Sequence, residues 1–185
     1  MFKRKNKQPQ QNGSKETVQV AASNENLCIP KDTKDSVEKI LHQRVYFNVA
    51  FLGVVQEMNM GDSKKRDTEA QLIDHLEEAQ IEGKLPIAAR EEDTVKLNVS
   101  IHGIKVLDMS GQEVLQRHPL HTIAQIIQYH DDFKHHNVAV KIGQFSKTVF
   151  HCFVFQCVSE DQAQNICQCL RKLFDAITMN ITMES

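Results

Sequence analysis

The side chains best suited to chemistry gather in "HPLHTIAQIIQYHDD", residues 118–132, where His118, His121 and His130 stand with Asp131 and Asp132, and His135 and His136 follow. Imidazole and carboxylate groups hold zinc and move protons. A zinc site needs three or four converging ligands. His118 and His121 are three residues apart, a spacing that sends two strand side chains to opposite faces. Pro119 could bend the chain, but no H-E-x-x-H or Cys/His partner supports a metal.

Thiol chemistry fares no better. The five cysteines are Cys28, Cys152, Cys157, Cys167 and Cys169, with no C-x-x-C among them. The odd number and the spacing argue against a disulfide framework and fit a reducing compartment. Cys152 and Cys157 fall in an apolar run, where burial makes a thiol inert. There is no G-x-S-x-G, P-loop or G-x-G-x-x-G. The carboxylate runs Glu77-Glu78, Glu91-Glu92-Asp93 and Asp131-Asp132 read as solvated faces. The middle run could alternatively meet a basic partner. The expectation is a non-enzyme with no cofactor and no metal.

The elements that must position any site follow from periodicity. The chain has 185 residues and a net charge of −2, which sets aside a nucleic-acid partner. No apolar run reaches the roughly 18 residues of a membrane span, and the basic start lacks the apolar segment of a secretory signal. Residues 1–40 read as a disordered basic tail, poor in aromatics and periodicity. Its Lys3, Arg4 and Lys5 suit nuclear import or anionic lipid. The folded domain is expected over residues 41–182.

"VYFNVAFLGVV" (45–55) alternates as a strand does, with a bend or bulge at Gly53. "TEAQLIDHLEEAQIEGK" (68–84) reads as a helix, capped by Thr68 with Gln71 and stopped by Gly83. Six short strands then follow at 94–101, 104–108, 113–117, 122–130, 137–142 and 148–157, separated by turn residues. Such spacing predicts a compact antiparallel sandwich or barrel. The last strand is apolar on both faces, which predicts cover on both sides. Ser159 and Gln162 form a second capping box. Ala163, Ile166, Leu170, Leu173, Phe174 and Ile177 make one stripe of a closing amphipathic helix.

Binding is the remaining chemistry. Residues 122–129 are apolar with interruptions at Gln125 and Gln128, between a proline bend and an acidic loop. That pattern suits a sheet edge, whose unpaired main-chain groups can accept an extended peptide. The closing helix would supply a second wall. Periodicity alone assigns Phe174 to the core.

In this order, "HPLHTIAQIIQYHDD" and "FQCVSEDQAQNICQCLRKLFDAI" resemble the phosphotyrosine-binding (PTB/PID) domain family, over roughly residues 44–180. The resemblance implies an α+β fold of the pleckstrin-homology-like PTB type. That is a seven-stranded orthogonal antiparallel β-sandwich, capped by a C-terminal helix and carrying an extra helix between its first two strands. It implies a signalling adaptor whose groove binds Asn-Pro-x-Tyr (NPxY) segments. The partners implied are an integrin beta-1 cytoplasmic tail and a cavernous-malformation scaffold, with an effect on integrin activation and adhesion. Ile123, Ala124, Ile126 and Ile127 would belong to the groove strand, Tyr129 to the groove region, and Phe174 would touch an apolar ligand residue. A small Ala124 departs from the family's bulkier aliphatic there.

Strand 122–129 contains no Arg or Lys, so the tyrosine is expected to be read without phosphate. The alternative is an endocytic adaptor of the Disabled/Numb type that also binds phosphoinositides. Lys64, Lys65 and Arg66 would then make the lipid contact, peripheral to the membrane. The location expected is cytoplasmic, also nuclear and at the inner face of the plasma membrane.

Overall fold

The computed structural model describes residues 44–58, 68–143 and 149–183. Strand β1 spans Val45–Met58, and its length has a purpose. Val45–Ala50 pairs with β2 (Thr94–Ser100), whereas Ala50–Met58 pairs with β7 (Phe150–Cys157). The register shifts between Phe51 and Gly53, where Gly53 holds φ +144°. The bulge expected at Gly53 is thus the place where one strand passes from one half of the sheet to the other.

The remaining strands are β3 (Gly103–Leu107), β4 (Val114–Pro119), β5 (Ile123–His130) and β6 (His136–Gly143). Helix α1 spans Thr68–Ile81 between β1 and β2, and α2 spans Glu160–Met183 after β7. The strands form a continuous antiparallel ladder in the order β4-β3-β2-β1-β7-β6-β5. Predicted and observed strand boundaries differ by a residue or two, except that β1 runs on to Met58.

Two apolar cores lie on opposite faces. The first joins Leu97, Val99, Ile104, Val106, Val138, Val140 and Phe155 to Ile166, Leu170 and Leu173 of α2. The second joins Leu52, Ala139, Cys152 and Val154 to Leu72, Leu76 and Ala79 of α1. Along β7 the two sets alternate, Phe155 to the first and Val154 to the second. This explains why the strand is apolar on both parities. Each of the buried Val, Leu, Ile and Phe side chains among them contributes about 1.5–3 kcal/mol of transfer free energy.

Local chemistry ends the helices where the sequence says it should. Gly83 at φ +73° closes α1, with Lys84 N–H donating to the Ala79 carbonyl at 2.9 Å and Gly83 N–H to Gln80 at 3.1 Å. This is a Schellman end. At α2, Ser159 Oγ accepts the Gln162 N–H at 3.2 Å. Gln162 returns its Oε1 to Val158 N–H at 3.0 Å, and its Nε2 donates to the Asn48 carbonyl of β1 at 3.0 Å. The cap therefore also ties the helix to the sheet. The other expected cap falls differently, because Thr68 is already the first helical residue.

Among the described glycines, Gly103 is the least tolerant of a side chain. It holds φ +106°, and an added Cβ would stand 2.1 Å from the His118 carbonyl oxygen. Gly103→Ala should lower unfolding free energy by about 3 kcal/mol or more through strain and steric displacement of β4. Urea denaturation measures this, and an unchanged midpoint would contradict the geometry.

Candidate functional site

Among the described residues, strand β5 pairs with β6 alone and forms one border of the sheet. Ile123 pairs with Ile142 and Gln125 with Lys141, so the irregularity falls at Ala124; pairing then runs unbroken to His130 opposite His136. The side chains divide by face. Ile123 and Ile126 enter the first core, beneath α2, whereas Ile127 and Tyr129 enter the second, beneath α1. Ala124, Gln128 and His130 remain exposed.

The border therefore offers main-chain groups far more than isoleucine side chains. Ile126 is only 8% exposed, so it serves the core before any ligand. Burial pushes the Tyr129 phenol far above its usual range, and the neighbouring Cys152, Asp131 and Glu77 add to this. The Tyr129 hydroxyl has no hydrogen-bond partner among the described residues. Phe174, on α2, is half-buried against the first core.

Between β5 and the helices lies a shallow cleft of about 160 Å³. Ile127 and Gln128 form its floor, Gln164, Cys167, Gln168 and Arg171 its α2 wall, and Glu69 of α1 its opposite side. Sequence reasoning missed these wall residues. Gln164, Gln168 and Arg171 recur at intervals of four and three, the polar stripe beside the apolar one, and that spacing was the available signal. Glu69 carried no such signal, since only the packing of α1 brings it there.

The polar flanks prove to be scaffolding. Leu120–Thr122 is a 3-10 turn in which Thr122 Oγ1 donates to the Pro119 carbonyl at 2.7 Å. His118 lies 4.2 Å from the Phe153 ring, and burial lowers its pKa. His130 Nε2 and His136 Nδ1 are 2.8 Å apart across the β5–β6 ladder. Asp131 organises the loop between them. It accepts the N–H groups of Phe133 at 3.0 Å and His135 at 2.9 Å, the His135 ring at 2.9 Å, and Asn137 Nδ2 at 3.3 Å. Lys134 completes the turn at φ +65°. Burial alone would raise the Asp131 pKa, but these donors outweigh it and hold the carboxyl below its usual range.

The acidic run at 91–93 is likewise local. Asp93 accepts the Arg90 N–H at 2.8 Å and pairs with its guanidinium at 3.1 Å. The buried thiols are pushed up by burial, Cys152 and Cys157 to about 12, Cys167 and Cys169 to about 11. They are poor nucleophiles at neutral pH. The expectations for Lys3, Arg4 and Lys5, and for Lys64, Lys65 and Arg66, fall outside the described residues.

Seven antiparallel strands, a closing helix and an extra helix after the first strand define a pleckstrin-homology-like domain of the PTB type. Residues 17–182 match the family described as beta-1 integrin binding protein, and the chain belongs to that family. It is 31% identical over 133 residues to integrin beta-1-binding protein 1 of Bos taurus, a match covering 71% of this chain. The Mus musculus protein of the same name is 32% identical over 133 residues, again 71% of this chain. The match spans 66% of the length of each relative.

Two outcomes follow from the site's construction. Ile126→Asp should place a charge in the first core and destabilise the domain by about 3 kcal/mol or more, whereas Gln128→Asp should leave stability within about 0.5 kcal/mol. Chemical denaturation of both variants checks the face assignment. Because the Asp131 pKa is depressed on folding, its contribution is complete above the unfolded value of about 3.9 and is lost as pH falls through the folded value. Asp131→Asn should therefore cost about 1–2 kcal/mol at pH 7, and the deficit should shrink below about pH 4. Thermal melts across that range read it directly; a constant deficit would refute the assignment.

Proposed function

We propose that the protein is a non-enzymatic adaptor whose β5 edge binds an NPxY-type segment as an added antiparallel strand, with α2 as the second wall. The observation carrying this is the open main chain of β5 beside an accessible cleft, in a chain of the beta-1 integrin binding family. An integrin beta tail is the first partner to expect, as the relatives' name indicates for those proteins. An NPxY-bearing scaffold would compete for the same edge. Competition of this kind would tune integrin activation and adhesion. The working location is the cytoplasm and the inner face of the plasma membrane, with nuclear entry through Lys3, Arg4 and Lys5.

Ala124 and Gln128 are exposed on β5 and Phe174 is half-exposed on α2. These side chains and the β5 main chain would make the contacts, while Ile123, Ile126, Ile127 and Tyr129 hold the strand in place. Strand β5 carries no Arg or Lys, and a phosphate is best held by a charge-assisted fork. The ligand tyrosine would thus be read unphosphorylated.

Strand addition has a signature that side-chain contacts lack. Backbone N-methylation of an integrin beta-1 tail peptide should weaken binding about tenfold or more at alternate residues, those whose N–H faces β5, and little at the residues between. Fluorescence anisotropy with the full chain reads the pattern. Uniform sensitivity would exclude strand addition. Tyrosine phosphorylation of the same peptide should not tighten binding; a tenfold gain would overturn the phosphate argument.

A further inference from the structure

The cleft carries one charge on each side. Arg171 belongs to α2, which packs on the face holding Ile126. Glu69 belongs to α1, which packs on the face holding Ile127. Ile127 and Gln128 are consecutive and floor the same cleft, so the cleft straddles the sheet border instead of lying on one face. Burial first raises the Cys167 pKa, Arg171 pulls it down and Glu69 pushes it up. Both charges thus act on one buried atom. Yet among the described residues neither forms an ion pair within 4.0 Å. Each is exposed and available to a ligand.

A strand added at this border places successive side chains on opposite faces of the sheet. One faces the α2 wall with its guanidinium; the next faces the α1 side with its carboxylate. We infer that the docked segment carries two adjacent residues of opposite charge opposite Ile127–Gln128, an acid toward Arg171 and a base toward Glu69. This rests on the strand-addition reading above and adds a sequence requirement to it. The requirement is directional, because exchanging the two residues sets like charges against each other on both sides. The carboxamides of Gln128, Gln164 and Gln168 line the same cleft and can hydrogen-bond either charged head.

The test uses the full chain and fluorescent peptides ending in Asn-Pro-Ile-Tyr, with an uncharged extended stretch upstream. One adjacent pair in that stretch is made Glu-Lys, Lys-Glu or Ala-Ala and moved along it. At one register, one charged order should bind about 3- to 10-fold tighter than Ala-Ala at low salt, and the reverse order more weakly. The gain should fade in high salt. The variant Glu69→Lys/Arg171→Glu should invert the preference; both sites are exposed, and its circular dichroism should match the parent.

Equal binding of all three peptides at every register would overturn the inference and leave strand addition standing. If no peptide bound and no β5 amide resonance moved, both readings would fail. A dimer in sedimentation that these peptides cannot dissociate would assign the cleft to a second copy and equally overturn the inference.

Discussion

Everything at the border of this domain depends on the cover given to both faces of its β1-β7-β6-β5 half. The first core draws α2 onto one face, and the second draws α1 onto the other. A strand covered on both sides presents its edge and only a few exposed side chains, here Ala124, Gln128 and His130. Strand β5 is last in the order and, among the described residues, has no strand partner beyond β6, so its outer N–H and C=O groups are polar surface that the described fold leaves unpaired. Burial of the isoleucines and availability of the edge are one fact seen from two sides. The isoleucines packed into the two cores fix the height and pitch of the border strand.

The closing helix carries two duties on adjacent stripes. Its apolar stripe supplies Ile166, Leu170 and Leu173 to the core. Its neighbouring polar stripe supplies Gln164, Gln168 and Arg171 to the cleft wall. The Gln162 bond to the Asn48 carbonyl fixes the start of the helix against β1, far along the sheet from β5. The spacing between wall and floor is therefore referenced to the centre of the sheet. Asp131 does the corresponding work at the far end of β5, where it shapes the turn into β6.

Much of this architecture is legible in the residues. Period-two alternation identifies the first strand and the spacing of turn residues the other six, Gly53 and Gly83 mark a bulge and a helix end, and Ser159 with Gln162 marks the second cap. The two apolar parities of β7 announce two covers. The face of each isoleucine is another matter. Ile126 and Ile127 are consecutive, so strand alternation sends them to opposite faces, but nothing local says which helix covers which. The bulge at Ala124 also shifts the phase of the strand, and no sequence rule places a bulge at an alanine. Asp131 and Asp132 look alike in a string; only the loop's hydrogen bonds single out Asp131. Glu69 reaches the cleft through the docking angle of α1, a tertiary quantity that a one-dimensional pattern does not contain.

The sealed cysteines turn the domain into its own recorder. Cys167 and Cys169 sit on successive sides of α2 and Cys152 and Cys157 near the two ends of β7, all four buried. A thiol that is both shielded and protonated reacts with an external reagent only when its surroundings part. Cys157, Cys167 and Cys169 belong to the first core and Cys152 to the second, so the pace of modification separates the opening of the two cores. Cys167, directly under the cleft, reports on the separation of helix from border strand, while Cys152 reports on the second core beneath α1.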